Sequence, residues 1–331
     1  MNVLVTGANG FIGHHLVRAL LDGTDWNVVA VDVQQDRLAA MEHRRLRILD
    51  LDVVEQFHLV GEVIRGADVV VHLAGVATPQ AYVTDPLYVF QQDFEAALSV
   101  VKACAQFNIR LIFPSSSEVY GCADVPFKED ETGSVYGPVK ASRWIYACSK
   151  QLIDRVIAAY GQDRTWDLQY TIFRPFNWIG PGLDSPGHGN SGSARVVTAF
   201  IGQILRGEKI KLVNGGHQRR CFTWVGDGID ALMRILRSND VDGEIINIGA
   251  PENETTINEL ALNLWRLSGE LLVPWPEAVE GKEFYGAGYE DIPRRVPCID
   301  KARKLLGWEP TVGLDEALRR TVEWAKGEVP S

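Results

Sequence analysis

Short apolar runs alternate with longer amphipathic stretches through the first half of the chain. The runs at 3–6, 28–33, 47–49, 69–73, 110–114 and 169–173 predict β-strands. Apolar positions spaced for one face of a helix predict helices between them, near 11–21, 55–64, 87–107 and 143–160. Strand and helix taking turns is the pattern of a parallel sheet covered on both faces, so the expected class is α/β with a doubly wound parallel sheet. From Asn177 the texture changes to a stretch rich in Gly, Ser and Pro that runs to 192, long enough to be read as a functional loop. Helical spacing resumes near 194–205, 227–237, 257–267 and 314–325, and the apolar run 245–248 predicts a strand that returns to the first sheet. The expected division is a sheet domain of 1–176 with about 224–250, and a smaller, mostly C-terminal α/β domain of 177–223 with about 251–331.

Composition narrows the function classes. The chain of 331 residues carries 33 Lys+Arg against 43 Asp+Glu, a formal charge of −10, with no run of basic residues. Affinity for a phosphate backbone comes from clustered positive charge, so nucleic acid is not an expected partner. No stretch approaches the roughly 20 apolar residues that span a bilayer, and no basic leader precedes the first apolar run. The expected location is cytoplasmic, away from membranes. Five cysteines and seven histidines are scattered without C-x-x-C or H-E-x-x-H spacing, so neither a disulfide framework nor a metal site is expected.

Chemistry enters with Gly7-Ala8-Asn9-Gly10-Phe11-Ile12-Gly13, a G-x-x-G-x-x-G run between the first strand and the first helix. Glycines there let the backbone approach a pyrophosphate, which amide N–H groups and the helix dipole then meet. Gly7, Asn9, Gly10, Phe11, Ile12 and Gly13 are therefore cofactor-binding candidates. Asp32 ends the second strand 19 positions after Gly13. A carboxylate there accepts from both adenosine ribose hydroxyls and repels a 2′-phosphate, which favours NAD over NADP. Asp52, after the third strand, reads either as a partner of the adenine amino group or as an ordinary loop carboxylate.

Tyr146-Ala147-Cys148-Ser149-Lys150 sets a phenol and an ammonium one helical turn apart on one face. A cation nearby stabilises phenolate, which makes Tyr146 a usable base for a sugar hydroxyl. Together with the glycine turn and Ser116-Ser117-Glu118 after a strand, the pair resembles the extended short-chain dehydrogenase/reductase family of nucleotide-sugar enzymes, from Val3 to about Trp324. That resemblance implies a Rossmann-like fold, a tyrosine and lysine beside the nicotinamide, and a serine sharing the substrate hydroxyl. Ser116 and Ser117 both compete for that last role.

Four longer segments narrow the resemblance: 114–121 (PSSSEVYG), 143–146 (RWIY), 174–181 (RPFNWIGP) and 284–289 (FYGAGY). Together they are similar to UDP-glucuronic acid decarboxylases, such as the decarboxylase domain of the bacterial polymyxin-resistance enzyme. The resemblance implies Ser117, Glu118, Tyr146, Lys150 and Arg295 as catalytic residues. It implies Asn177, Arg195, Lys211 and Tyr289 around the UDP moiety, Tyr82 nearer the sugar and Arg220 at the diphosphate, with Glu118 and Arg295 also touching substrate. The activity implied is C4 oxidation of UDP-glucuronic acid by NAD and loss of C6 as CO2. Its product is UDP-4-keto-pentose or, after re-reduction, UDP-xylose. The alternatives are a UDP-glucuronate 4-epimerase, a UDP-apiose/UDP-xylose synthase and a non-catalytic NAD-binding regulator. Apiose-forming relatives carry cysteines where this chain has Ala77 and Ser117, which disfavours ring contraction. Helices 87–107 and 143–160 are apolar on more than one face, which fits burial against a second subunit, and the family resemblance implies a homodimer that pairs these helices into a four-helix bundle.

Overall fold

The computed structural model describes residues 1–184, 194–269, 275–286 and 288–328. The second half of the loop read as functional, 185–192, lies outside the described residues, as does Ala287. Six strands come from the first half of the chain: β1 (Asn2–Thr6), β2 (Asn27–Asp32), β3 (Leu46–Asp50), β4 (Val69–His72), β5 (Arg110–Pro114) and β6 (Tyr170–Pro175). The short strands β7 (Trp178–Ile179), β8 (Lys211–Val213), β9 (Arg219–Cys221) and β10 (Thr223–Trp224) precede β11 (Glu244–Ile248), and β12 (Glu254–Thr256), β13 (Glu277–Val279) and β14 (Arg294–Arg295) follow it. The main sheet has the order β11-β6-β5-β4-β1-β2-β3 and every pairing in it is parallel.

Alternation along β1 shows why both faces must be covered. Val3 and Val5 belong to one apolar core and Leu4 to the other, all with no exposed surface. Helices α1 (Phe11–Gly23) and α8 (Val225–Arg237) pack together and supply Leu16, Leu20, Leu232 and Ile235 to the first core. On the other face α2 (Phe57–Arg65), α5 (Ala97–Phe107) and α6 (Trp144–Gln162) supply Val60, Val101 and Ile153 to the second. The chain winds outward in both directions from β1, with β4 on one side and β2 on the other. Ligands of such sheets bind at the carboxyl ends of the strands beside that reversal.

One expected helix differs in kind. The span 87–107 is broken into α4 (Pro86–Phe90), a π-helical turn Gln91–Ala96, and α5, and the additional helix α3 (Pro79–Thr84) precedes it. Beyond β7 lie α7 (Val196–Leu205), α9 (Ile257–Ser268), α10 (Gly281–Tyr285), α11 (Asp300–Leu306) and α12 (Leu314–Glu328). There β9 pairs antiparallel with β12 and parallel with β14, and the β14 register sets Arg295 beside Arg220. Among the described residues no helix is long and apolar enough to cross a membrane.

Candidate active site

The glycine turn is closed too tightly for side chains. Gly7 has φ +65°, and a Cβ on it would lie 2.5 Å from the Ala74 nitrogen; a Cβ on Gly13 would lie 2.2 Å from the Gly7 carbonyl oxygen. No acidic residue occupies the first turn of α1 and no side chain caps it, so the positive helix end is left for an anion from outside. Asp32 accepts from the Asn9 N–H (2.9 Å) and the Gln34 N–H (3.0 Å), using two of about four lone-pair sites on a carboxylate. Asn9, Gly10, Phe11 and Asp32 line one cavity with Gln34, Asp36, Arg37, Asp184 and Arg195. Asn9 also organises the loop after β2. Its Oδ1 accepts from the Arg37 and Leu38 N–H groups and its Nδ2 donates to Asp36 (2.6 Å), which holds the Asp36 carboxyl below the usual carboxylate range. The glycine cradle and the carboxylate at the end of β2 fit a dinucleotide.

Asp52 sits elsewhere. Its Oδ1 accepts from the Val54 and Glu55 N–H groups at the turn before α2, and it lines neither cavity described here.

Tyr146 and Lys150 lie one turn apart on α6 and are both buried. One turn further on, Asp154 accepts from Ser115 Oγ (2.7 Å) and Arg174 Nη2 (2.9 Å), pinning α6 to the ends of β5 and β6. The Tyr82 ring stacks on Tyr146, with centroids 4.5 Å apart and an interplanar angle of 6°. The Ser116 hydroxyl accepts from the Glu118 N–H (3.1 Å) and lies close enough to the Tyr146 phenol to lower its pKa, whereas Ser117 opens the 3-10 turn Ser117–Tyr120. Here the electrostatics differ from the sequence expectation. Burial pushes the Tyr146 phenol well above its ordinary value, the Asp93 carboxylate adds to that, and Ser116 offsets part of it. The Lys150 ammonium is 3.0 Å from Asp93 Oδ1, so its charge is already matched.

Glu118 lies between two arginines. Its Oε2 is 3.2 Å from Arg143 Nη1 and its Oε1 is 3.1 Å from Arg295 Nη1. Burial pushes this carboxyl up, but Arg143, Arg295 and Arg220 together pull it down further, and it ends below the ordinary glutamate range. Arg220 is paired with Asp291 Oδ1 at 2.5 Å. Burial first and then the neighbouring Arg295 lower its pKa to about 10.

A second cavity collects the remaining candidates. Tyr82, Ser116, Ser117, Glu118, Tyr146, Asn177, Arg195, Lys211, Arg220, Tyr289 and Arg295 all line it, with Phe11 and Ile12 from the cofactor turn. Asn177, at φ +39°, donates from Nδ2 to the Cys221 carbonyl (3.1 Å). Tyr289 stacks on Tyr285 with centroids 4.5 Å apart. Arg195 lines both cavities. It is paired with Asp184 (2.9 Å) and bonded to the Leu183 carbonyl, and its guanidinium lies 5.6 Å from the Phe11 ring centroid.

Sequence reasoning missed Arg143, Asp93 and Asp291. Arg143 stands three residues before Tyr146, within a segment quoted only for its likeness. Asp93 carries a legible signal, being an acid in the helical phase of the buried Val89, Ala97 and Val100. Asp291 has no such signal in the chain.

Comparison with known proteins gives this geometry a family. Residues 3–249 match the model of the NAD dependent epimerase/dehydratase family. The fold superposes on the PbgP3 protein from Burkholderia pseudomallei with a TM-score of 0.87 at 44% identity, covering 98% of this chain and 96% of that one. It is also similar to UDP-glucose 4-epimerase from Thermotoga maritima, solved with UDP-glucose (26% identity, TM-score 0.82, 99% of each chain). A third likeness is MoeE5 in complex with UDP-glucuronic acid and NAD (27% identity, TM-score 0.84, 99% of this chain and 100% of that one). With a glycine cradle, a β2 carboxylate and a buried tyrosine–lysine pair in place, the chain belongs to the NAD dependent epimerase/dehydratase family, and its cofactor is NAD.

Proposed function

We propose that the protein is a UDP-glucuronic acid decarboxylase. The observation that carries this reading is the buried Glu118 held between Arg143 and Arg295 in the cavity that Tyr146 and Ser116 also line. An epimerase acting on neutral hexoses has no use for two buried guanidiniums beside its base, whereas a sugar bearing a carboxylate does. MoeE5, a structural relative, binds UDP-glucuronic acid together with NAD.

Gly7, Gly10, Gly13 and Asp32 would hold NAD, which supplies the acceptor for the C4 hydride and, if retained reduced, the donor that returns it. Tyr146 takes the C4 hydroxyl proton, with Ser116 holding the same oxygen. The resulting ketone is β to the C6 carboxylate. The C5–C6 bond then breaks, its electron pair delocalises onto the C4 oxygen as an enolate, CO2 departs, and C5 is protonated. Glu118 and Arg295 position C5 and organise that proton's delivery. Lys211, Arg220, Asn177 and Tyr289 receive the UDP portion, and Tyr82 flanks the sugar. Release after decarboxylation gives UDP-4-keto-pentose; hydride return gives UDP-xylose.

The exposed Leu87 and Tyr88 of α4 and Leu152 of α6 belong to the pairing surface of a homodimer. The test of the reaction is incubation with NAD and UDP-glucuronic acid labelled at C6. Labelled CO2 is expected, and Arg295→Ala should keep some C4 oxidation while losing most CO2. Label retained in a UDP-uronate of inverted C4 would establish the 4-epimerase instead.

A further inference from the structure

The π-helical turn Gln91–Ala96 has no counterpart in the sequence expectation, and it carries a buried carboxylate to the back of the catalytic pair. Asp93 and Lys150 side chains retain 1% and 6% of their surface and meet at 3.0 Å. Asp93 Oδ2 accepts from the Val76 N–H (3.1 Å). At Gly75 a Cβ would stand 2.6 Å from Asp93 Oδ1 and 3.7 Å from Lys150 Nζ, so the missing side chain is what admits the pair. The same ammonium lies 5.0 Å from the Phe113 ring centroid and 6.0 Å from that of Tyr146. Single π turns inside α-helices are costly and recur at functional sites.

We propose that Asp93 is a positioning residue, the resident counter-ion of Lys150, and that its charge governs how readily Tyr146 gives up its proton. Asp93 itself exchanges neither proton nor electron.

The other groups facing this spot are accounted for. On β4, His72 is held neutral, since burial and Lys150 lower its pKa to about 3. On α6, Asp154 is paired with Arg174. In the 3-10 turn Glu118 is paired with Arg143 and Arg295, ahead of α7 Arg195 is paired with Asp184, and on α3 the Tyr82 phenol is held neutral by burial. After burial, Asp93 is the largest influence holding the Tyr146 phenol up. Removing its charge leaves Lys150 unopposed beside the phenol.

This inference rests on Tyr146 being the base of the proposed reaction but not on the fate of the sugar carboxylate. The primary readout of the test therefore needs no substrate. The full-length protein saturated with NAD is titrated by tyrosinate ultraviolet absorbance, subtracting from each protein the trace of the same protein carrying Tyr146→Phe. Asp93→Asn should move the Tyr146 midpoint down by about one pH unit or more, and the acid limb of the C4-oxidation rate should move with it. Should Asp93→Asn fail to fold, Gly75→Ala displaces the carboxylate without removing it and should give a smaller shift of the same sign. A merely structural Asp93 lowers melting temperature or rate while the midpoint stays. A coincident or higher midpoint, or a phenol neutral up to the unfolding pH in both proteins, overturns the proposal. Absence of CO2 release would sink the decarboxylase reading and leave this result standing.

Discussion

Glu118→Gln removes one negative charge from between two arginines while keeping the shape of the side chain. The side chains of Glu118, Arg143 and Arg295 retain 9%, 4% and 11% of their surface, and the two ion pairs close at 3.2 and 3.1 Å. At an effective dielectric of about 20, each contact represents roughly 5 kcal/mol of gross attraction, much of it offset by the desolvation of buried ions. Removing one partner of a buried pair leaves the others uncompensated and costs about 3–5 kcal/mol, so the variant should lose at least about 3 kcal/mol of unfolding free energy. The pH dependence has a definite sign. Burial raises the Glu118 pKa, the three arginines outweigh it, and the folded value lies below the ordinary 4.5. A carboxyl with a depressed folded pKa contributes its stability above the unfolded value and loses it as pH falls through the folded one. Urea denaturation of wild type and variant should thus show the full gap at neutral pH and a closing gap in acid below the ordinary glutamate range. On the proposed function, UDP-glucuronate should raise the variant's melting temperature more than UDP-glucose does, since its carboxylate can replace the lost anion. Equal stabilities at neutral pH, or a gap that persists unchanged into acid, would refute the reasoning that Glu118 is an anion clamped by the arginines.

Three further outcomes are expected. Tyr146→Phe should cut NADH formation from the sugar nucleotide by about 10²–10⁴-fold while NAD binding, followed by fluorescence, is kept. Gly13→Ala puts a methyl 2.2 Å from the Gly7 oxygen and 2.7 Å from Ala8 Cα. It should cost about 1–3 kcal/mol in denaturant unfolding and weaken NAD binding in calorimetry. Asp32→Ala should lower the NAD-to-NADP ratio of kcat/KM by at least about tenfold, because like charges a few ångströms apart cost several kcal/mol at an effective dielectric of about 20.

What could be read from the chain, and what could not, follows from the range of the interactions involved. The strands of the main sheet, the glycine turn and the Tyr146/Lys150 spacing are local or periodic, so one short stretch of residues contains the whole signal. The π turn at Gln91–Ala96 breaks the period that predicts a continuous 87–107 helix, and what it serves, Lys150, is far away in sequence. Likewise the neighbours of Glu118 come from the start of α6 and from β14, which only the folded chain brings together. Lys150 illustrates the same point in electrostatics. Its spacing from Tyr146 suggests a cation free to stabilise phenolate, but the field at the phenol depends equally on a carboxylate contributed from another helix.

Charge placement ties these observations together. The chain as a whole has ten more acidic than basic side chains, yet the cavity that Tyr146 lines is lined by five cationic and two anionic ones. On the proposed function, a UDP-uronate would bring a diphosphate and a carboxylate into that surplus, and the two anions would make opposite demands. On that reading the diphosphate is unchanged by the reaction, so binding it tightly through Lys211 and Arg220 would anchor the substrate without opposing any step. In the proposed decarboxylation the carboxylate would leave as neutral CO2, and a guanidinium pair that gripped it in the ground state would have to be overcome at the transition state. Glu118 already occupies Arg143 and Arg295, which would resolve that conflict. On the proposed function the arginines would still make the site cationic enough to admit a uronate, with their attraction shared with a resident anion. That would leave the field available for the enolate charge of the proposed reaction, which would develop toward C4 beside Ser116 and Tyr146.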